Sequence, residues 1–377
     1  MIPALKSRTS PPSKTQKTVA PLLAWFAANA RDLPWRRTRD PYPIWVSEIM
    51  LQQTQVKTVI PFWNRWPREL PTIEAAAHAP SAKIHKLWEG LGYYSRVRNL
   101  QKSAQLIVDR HGGRFPEQFD EVLALPGIGR YTAGAICSIA FNQSTPILDG
   151  NVIRVLTRVF GIAGNPKEKS INAQLWALAA NLVSHAEAMG RVNRSCSALN
   201  QSLMELGALV CTPRSPQCQQ CPLKRHCVAF KEDRTESLPH LGKRPTATVR
   251  RFLAFVIERK GRFLVRQRPD AGVNAQLWEF PNAEVGARGS DPLAVYAELR
   301  GLSPAQGNPE LLQPLCTVKH SITRYRITLE AFLVRLQKNA GNPGGDWKTP
   351  AQMQKLAFTA AHKKLASAAA QSILLDR

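Results

Sequence analysis

The sequence predicts a multidomain chain in which an all-α domain, residues 19–230, precedes an α+β domain, residues 250–377. Three features predict it. Apolar residues recur at helical spacing through the first part, and apolar and polar residues alternate beyond residue 250. Between them "KEDRTESLPHLGKRPTATV" (231–249) loses periodicity and gains charge and proline, as linkers do. A length of 377 residues suits two domains, each with its own core.

Taken in order, residues 1–18 are rich in Pro, Ser and Lys and read as a disordered basic arm, with no apolar run of the kind a secretory signal needs. In the helical part Leu175, Leu178 and Leu182 share one face, as do Leu199, Leu203, Leu206 and Val210. Prolines and glycines cut this part into short helices. Past the linker, "RFLAFVIERKGRFLVRQR" reads as a β-hairpin turning at Lys260 and Gly261. "RYRITLEAFLVRL" (324–336) is a further strand-like run.

Charge narrows the partner. Fifty-one Lys and Arg against 27 Asp and Glu give a net +24, which favours a polyanion. A merely soluble basic protein and a binder of anionic membranes are the alternatives. No basic amphipathic helix stands out, and no stretch approaches the ~20 apolar residues of a membrane span, so nucleic acid is expected and membrane is not. Seven cysteines, four of them crowded together, suit a reducing compartment with a metal site better than a disulfide scaffold.

Those four are Cys211, Cys218, Cys221 and Cys227, spaced C-x6-C-x2-C-x5-C in "CTPRSPQCQQCPLKRHC". Four thiolates in one short loop can surround a compact cation or a cluster, with Pro213, Pro216 and Pro222 pre-shaping the turns. A structural zinc fits the residue types, although zinc ribbons pair two C-x2-C hairpins and only one is present here. Arg214, Lys224 and Arg225 lie inside the loop, either as phosphate contacts or as solvated surface. Cys137, Cys196 and Cys316 stand alone and read as core residues.

Upstream, "LPGIGRYTAGAI" places Gly127 and Gly129 just before a helical segment. Glycine opens backbone conformations closed to other residues and leaves amides uncovered at a helix N-terminus, a ready anion site. With the net charge, this reads as a helix-hairpin-helix element gripping DNA phosphate. A plain helix–helix turn is the alternative on these residues alone.

The glycine turn, the aspartate of "PILDGN" and the cysteine spacing together resemble the endonuclease III superfamily of base-excision glycosylases. Within it, "LPWR", "DPYPIWVSEIMLQQTQV", "LGYYSRVRNL" and "NQSLMELGALVCT" resemble the MutY-type adenine glycosylases over nearly the whole first domain. The resemblance implies a [4Fe-4S] cluster on the four cysteines in place of zinc. It also implies double-stranded DNA carrying A:8-oxoguanine or A:G mispairs as partner, and a bacterial, cytoplasmic, nucleoid-associated monomer.

Cleaving an N-glycosidic bond to adenine needs a protonated base, an anion beside the sugar and a route for water, after the base has left the duplex. Glu48 lies one turn after Ile44 and just before Leu51, toward an apolar face that would raise its pKa. A structural Glu paired with Arg36 is the competing possibility. Asp149 precedes Gly150 and Asn151 at the start of an apolar-periodic helix, where capping is its ordinary role. The resemblance makes Glu48 the proton donor and Asp149 the group that stabilises C1′, with Asn151 orienting it or the water. Tyr131 stands where bifunctional relatives carry an imine-forming lysine, so the chain should be monofunctional.

By matching motif, Trp35, Arg36 and Leu51 resemble residues lining the adenine pocket, with Gln201 nearby. Gln53 and Tyr93 resemble the wedge that enters the base stack, and Thr54 a contact to the opposing oxidised guanine. The second domain's "RQRPDAGVNAQLWEFPNAEV" resembles the approach to the Nudix box of MutT-type hydrolases, but no R-E-x-x-E-E follows it. A Nudix-like domain that binds without hydrolysing is implied. Ile322, Thr323 and Arg324 align with a Phe-Ser-His run that reads the lesion, and Arg324 departs from it. Two alternatives remain: another helix-hairpin-helix mismatch glycosylase, acting on thymine, and a catalytically inactive damage-binding iron–sulfur protein.

Overall fold

The computed structural model describes residues 13–190, 194–242, 246–270, 272–286, 290–301, 312–322, 324–336 and 345–375. The chain divides into two compact units, Met1–Ala77 with Asn99–Lys243, and His78–Arg98 with Arg244–Arg377.

Helices run in order as α1 (Lys14–Asn29), α2 (Pro41–Leu51), α3 (Val56–Glu69), α4 (Ile73–His78), α5 (Ser81–Trp88) and α6 (Ser95–His111). They continue as α7 (Phe119–Leu123), α8 (Arg130–Phe141), α9 (Gly150–Phe160), α10 (Lys169–Ala188), α11 (Ser195–Leu209) and α12 (Val228–Lys231). The expected apolar stripes form the core of the first unit. Leu175, Leu182, Leu199, Leu203 and Leu206 are buried against Val152, Val155 and Leu156 of α9, and Leu178 packs beside them half-buried.

Two expectations shift at the edges of this unit. Residues 14–18, read as part of the arm, already belong to α1. Ser13 and Gln16 form a reciprocal capping box, and Thr18, Val19 and Leu22 are buried. The Lys and Pro content of this stretch hid a start signal whose apolar residues, Val19, Leu22, Leu23 and Trp25, all lie beyond it. Within the expected linker, Leu238 is buried in the first unit's core and β1 already begins at Thr248. A single leucine that finds a cavity leaves no periodic signal.

The second unit carries β1 (Thr248–Arg259), β2 (Arg262–Gln267), β3 (Trp278–Glu279), β4 (Asn282–Val285), α13 (Pro292–Arg300), β5 (Leu312–Ile322) and β6 (Tyr325–Arg335). It ends with β7 (Asp346–Lys348), α14 (Pro350–Gln354) and α15 (Ala360–Leu375). β1 and β2 form the expected hairpin, and Lys260 and Gly261 both have positive φ, as a turn matched to strand twist requires. The sheet order is β3-β2-β1-β6-β5, with β4 on β1 and β7 on β2. β1 pairs parallel with β6, from Thr248 opposite Tyr325 to Glu258 opposite Arg335.

Both faces of β1 are therefore covered, and its run from Leu253 to Ile257 is fully buried. Ala254 and Val256 face a core completed by Ala361, Leu365 and Ala369 of α15. Leu253, Phe255 and Ile257 face Tyr296 of α13. Among the described residues no helix is long and apolar enough to cross a membrane.

One close approach in the first unit fixes the position of the site. A Cβ on Gly207 of α11 would lie 2.6 Å from the Cβ of Asn151 on α9, so only glycine lets these helices meet there. Gly207→Ala should cost about 1–3 kcal/mol through overpacking and lower the Tm by several degrees. Gly150→Ala, with nothing within 4 Å of the added methyl, should leave the Tm unchanged in the same melting experiment.

Candidate active site

α2 begins behind Asp40, whose carboxylate accepts from the Tyr42 amide, and Pro41 pre-sets its first turn. Seven consecutive residues of this helix, from Ile44 to Met50, are buried, as is Tyr42, and Glu48 lies within the run at 5% exposure. Burial pushes its carboxyl up to about 7; the neighbouring Asp149 charge adds to the rise, while a hydrogen bond from Tyr131 and the charge of Arg36 oppose it. The Tyr131 hydroxyl lies 3.1 Å from Glu48 Oε2 and 3.2 Å from Met204 Sδ. Burial, then Glu48 and Asp149, hold the Tyr131 phenol well above its ordinary value, so it keeps its proton to donate.

Arg36 does not pair with Glu48. It is drawn to Glu205 of α11, which accepts from Arg36 at 2.9 and 3.1 Å and from the backbone and guanidinium of Arg31 at 2.7–3.0 Å. Burial alone would raise the Glu205 pKa, yet its hydrogen bonds from Arg31 and Arg36 bring it down to about 2. Two buried carboxyl groups thus sit in opposite states, one ionised by its arginines and one kept near neutrality. The sequence reading missed Glu205. Its signal was a carboxylate four residues after Gln201, on the inner side of a leucine-rich helix.

Asp149 does cap α9: its Oδ1 accepts from the Val152 amide at 2.7 Å, and Oδ2 accepts from Asn151 Nδ2 at 3.0 Å. Burial raises its pKa against these hydrogen bonds. Asn151 Oδ1 in turn accepts from Arg154, at 2.8 Å. The same guanidinium reaches the carbonyls of Gly207 at 2.7 Å and Cys211 at 2.6 Å, tying the carboxylate to the cysteine loop. One turn on, Arg158 is 2% exposed and donates to Cys211 Sγ at 3.4 Å and to the carbonyls of Thr212 and Leu238. Both arginines escaped the sequence reading. Their signal was a charge at i and i+4 interrupting the apolar period of "NVIRVLTRVF".

Cys211, Cys218, Cys221 and Cys227 line one cavity, walled by Val159, Leu206, Val210 and Phe230. Among the described residues, no three Cys, His, Asp or Glu side chains converge as they would on a single metal ion. Burial pushes the Cys221 thiol up to about 12 and raises Cys218 and Cys227 as well, and the neighbouring thiolates add to each rise. Four such sulfurs give up their protons to a cationic core wide enough to span them, and an iron–sulfur cluster is one. The donor set fits. Cys137 and Cys196 are buried in the core, and Cys316 is half-buried.

Of the remaining candidates, Trp35 is buried edge-on to Trp63, with ring centroids 6.1 Å apart. Leu51 closes α2 half-buried, and Thr54 donates to the Gln52 carbonyl at 3.3 Å. Gln201 donates to Ser197 along α11 at 3.1 Å. Gln53 and Tyr93 both hold positive φ, 56° and 47°, which non-glycine residues keep only under constraint. Tyr93 belongs to the segment grouped with the second unit. Gly127 has φ 78°, whereas Gly129 is extended and serves as the N-cap of α8, so only the first needs glycine for its backbone. In the second unit Ile322 ends β5, Arg324 donates to the Tyr325 hydroxyl at 3.2 Å, and Thr323 lies outside the described residues.

Comparison with known proteins bears on this geometry. Residues 46–181 match the HhH-GPD superfamily of base excision DNA repair proteins, 211–227 the iron-sulfur binding domain of endonuclease III, and 253–368 the NUDIX domain. The cysteine loop is thus an iron–sulfur binding loop. A solved thermostable thymine-DNA glycosylase superposes with a TM-score of 0.52 at 30% identity, covering 58% of this chain and 97% of its own. The adenine DNA glycosylase of Buchnera aphidicola subsp. Acyrthosiphon pisum (strain APS) is 38% identical over 261 residues, 69% of this chain and 72% of that protein. The adenine DNA glycosylase of Rattus norvegicus is 36% identical over 402 residues, 91% of this chain and 76% of that protein. At that identity and coverage, the chain belongs to the adenine DNA glycosylase family.

Proposed function

We propose that this enzyme is a monofunctional glycosylase of base excision repair, removing adenine mispaired with 8-oxoguanine and, less efficiently, with guanine. One observation carries the reading. Glu48 is a buried carboxyl with a pKa of about 7, hydrogen-bonded by Tyr131 and sharing its surroundings with Asp149. In that state it holds a proton near neutral pH and has a fixed donor on one oxygen.

The adenine leaves the duplex first, with Gln53 and Tyr93 entering the stack and Thr54 against the opposing base. Trp35, Arg36, Leu51 and Gln201 line its pocket. Glu48 passes its proton to a ring nitrogen, the bond from C1′ to the base breaks, and the leaving base takes the electron pair. The Asp149 carboxylate, held by the Val152 amide and Asn151, faces the positive charge that develops on the sugar. Water attacks C1′ and gives a proton to the now ionised Glu48. Tyr131 has no amine, so no imine forms and the strand stays intact.

DNA phosphate is held at the amides of the Gly127–Gly129 turn. A [4Fe-4S] cluster on Cys211, Cys218, Cys221 and Cys227 cross-links the loop that carries Arg214 and Arg225 on its surface. The second unit reads the oxidised guanine through Ile322, Thr323 and Arg324. Single-turnover cleavage of duplexes carrying A opposite 8-oxoguanine, G, C and T tests the whole reading; cleavage of the A:8-oxoguanine duplex no faster than the A:C duplex would overturn it.

Three expectations follow. The first concerns Glu48, whose active form is the acid, so excision should fall as pH rises through about 7. Its folded pKa exceeds its ordinary 4.5, so the folded state binds the extra proton between those values and stability is lost across that window as pH rises. By the difference in pKa this is about 3 kcal/mol. Glu48→Gln should therefore lose excision by several orders of magnitude yet melt above wild type at pH 8, with the two Tm values converging toward pH 4.5. The second concerns Tyr131→Lys, which should gain borohydride trapping on DNA that the wild type lacks. Efficient trapping by the wild type would refute a monofunctional enzyme. The third concerns Arg324→Ala, which should narrow the preference for 8-oxoguanine over guanine by the worth of a charged hydrogen bond, about 1.5–3 kcal/mol in the ratio of single-turnover rates.

A further inference from the structure

A buried carboxylate fastens the loop presenting Tyr93 to the C-terminal sheet. Glu89 ends α5, and its side chain is only 5% exposed. Its Oε1 accepts from the Phe358 amide at 3.1 Å, and its Oε2 accepts from Lys86 and Lys363, each at 2.8 Å. Burial alone would raise its pKa, but these hydrogen bonds bring it below the ordinary carboxylate value.

Both ends of this contact are tied into packed structure. The Phe358 ring is in the core of the second unit, stacked on Phe280 with centroids 5.9 Å apart, and its backbone bridges Trp278. Lys86 also donates to the Leu356 carbonyl at 2.9 Å, doubling the attachment. On the other side, Trp88 is fully buried and its Nε1 donates to the Gly92 carbonyl at 3.0 Å. Arg96 donates to the carbonyls of Leu91 and Gly92 and lies beneath the Trp88 and Tyr93 rings. Four residues after Glu89, Tyr93 is 40% exposed with φ at 47°. An exposed aromatic in the left-handed region persists only where its surroundings over-determine it, and Glu89 is the buried charge among the groups that attach those surroundings to the sheet.

We infer that Glu89 is a positioning residue: through it the C-terminal unit holds the 89–94 loop in the conformation that presents Tyr93 to DNA. The inference rests on the reading of Tyr93 as a residue that enters the base stack. It gives the second unit a part in extruding adenine, separate from its reading of the lesion. Nothing in the chemistry at Glu48 and Asp149 requires it, so the effect falls on the extrusion step that precedes bond cleavage.

The test uses full-length, cofactor-loaded protein. One duplex carries 2′-fluoro-2′-deoxyadenosine, which resists cleavage, opposite 8-oxoguanine, with 2-aminopurine beside the lesion to report on stacking. Tyr93→Ala should abolish the fluorescence response; an unchanged response would refute the role of Tyr93, and this inference with it. With that response established, Glu89→Gln should diminish it and slow single-turnover excision on cleavable duplex, per titrated active site. The slowing should be on the order of tenfold, less than the hundredfold that a 1 Å displacement of reacting groups costs. Lys363→Met, at an exposed lysine on the far side of the contact, should act in the same direction, and the double variant should be little worse than the worse single. If Glu89→Gln fails to fold, Lys363→Met alone decides. A full response and full rate per active site in the folded variants would overturn the inference, even if their Tm values fall.

Discussion

A carboxyl group that must stay buried, close to a second carboxylate, without being ionised by an arginine governs how the helical unit is assembled. Glu48 meets this condition because Arg36, whose charge would pull it toward the ionised form, is committed to Glu205. Glu205 is ionised by two guanidiniums, while Glu48 accepts from a phenol. Two buried carboxyl groups are thereby set apart by their donors. The arrangement has a cost in stability, since a buried group of this kind disfavours the folded state once pH exceeds its pKa.

Helix α9 carries the second half of that constraint. Its N-terminal turn fixes Asp149 through backbone and Asn151 donors, and its middle turns send Arg154 and Arg158 to the cysteine loop. Arg154 is shared between Asn151 and the Cys211 carbonyl, so the orientation of the carboxylate and the shape of the loop are set by one guanidinium. Gly207 lets α11 come close enough for its carbonyl to join the same guanidinium. The iron–sulfur binding loop is in this way mechanically continuous with the turn that holds Asp149.

The second unit is built on different physics. Parallel pairing of β1 with β6 puts β1 in the middle of the sheet, and helices cover both faces. A strand covered on both faces reads as a continuous apolar run, as Leu253 to Ile257 does. The segment 78–98 is grouped with this unit although it is embedded in the helical part of the sequence. Its attachment runs through charged and backbone groups around Glu89, contacts that leave no trace in apolar periodicity.

Much of this was legible in the residues. The two domains, the cysteine loop, the hairpin at Lys260 and Gly261, the cap at Asp149 and the apolar face around Glu48 all follow from short-range rules: spacing, alternation and turn chemistry. Partner choice was not legible. That Arg36 answers Glu205 and not Glu48, that Arg154 and Arg158 reach the thiol loop, that Leu238 is core and that Glu89 fastens the Tyr93 loop are all contacts between residues far apart in sequence. Local sequence fixes which groups a helix or strand presents and how they are spaced. Which charge meets which depends on the packing of whole elements, because a buried ion pair forms only where tertiary structure removes water from both partners at once.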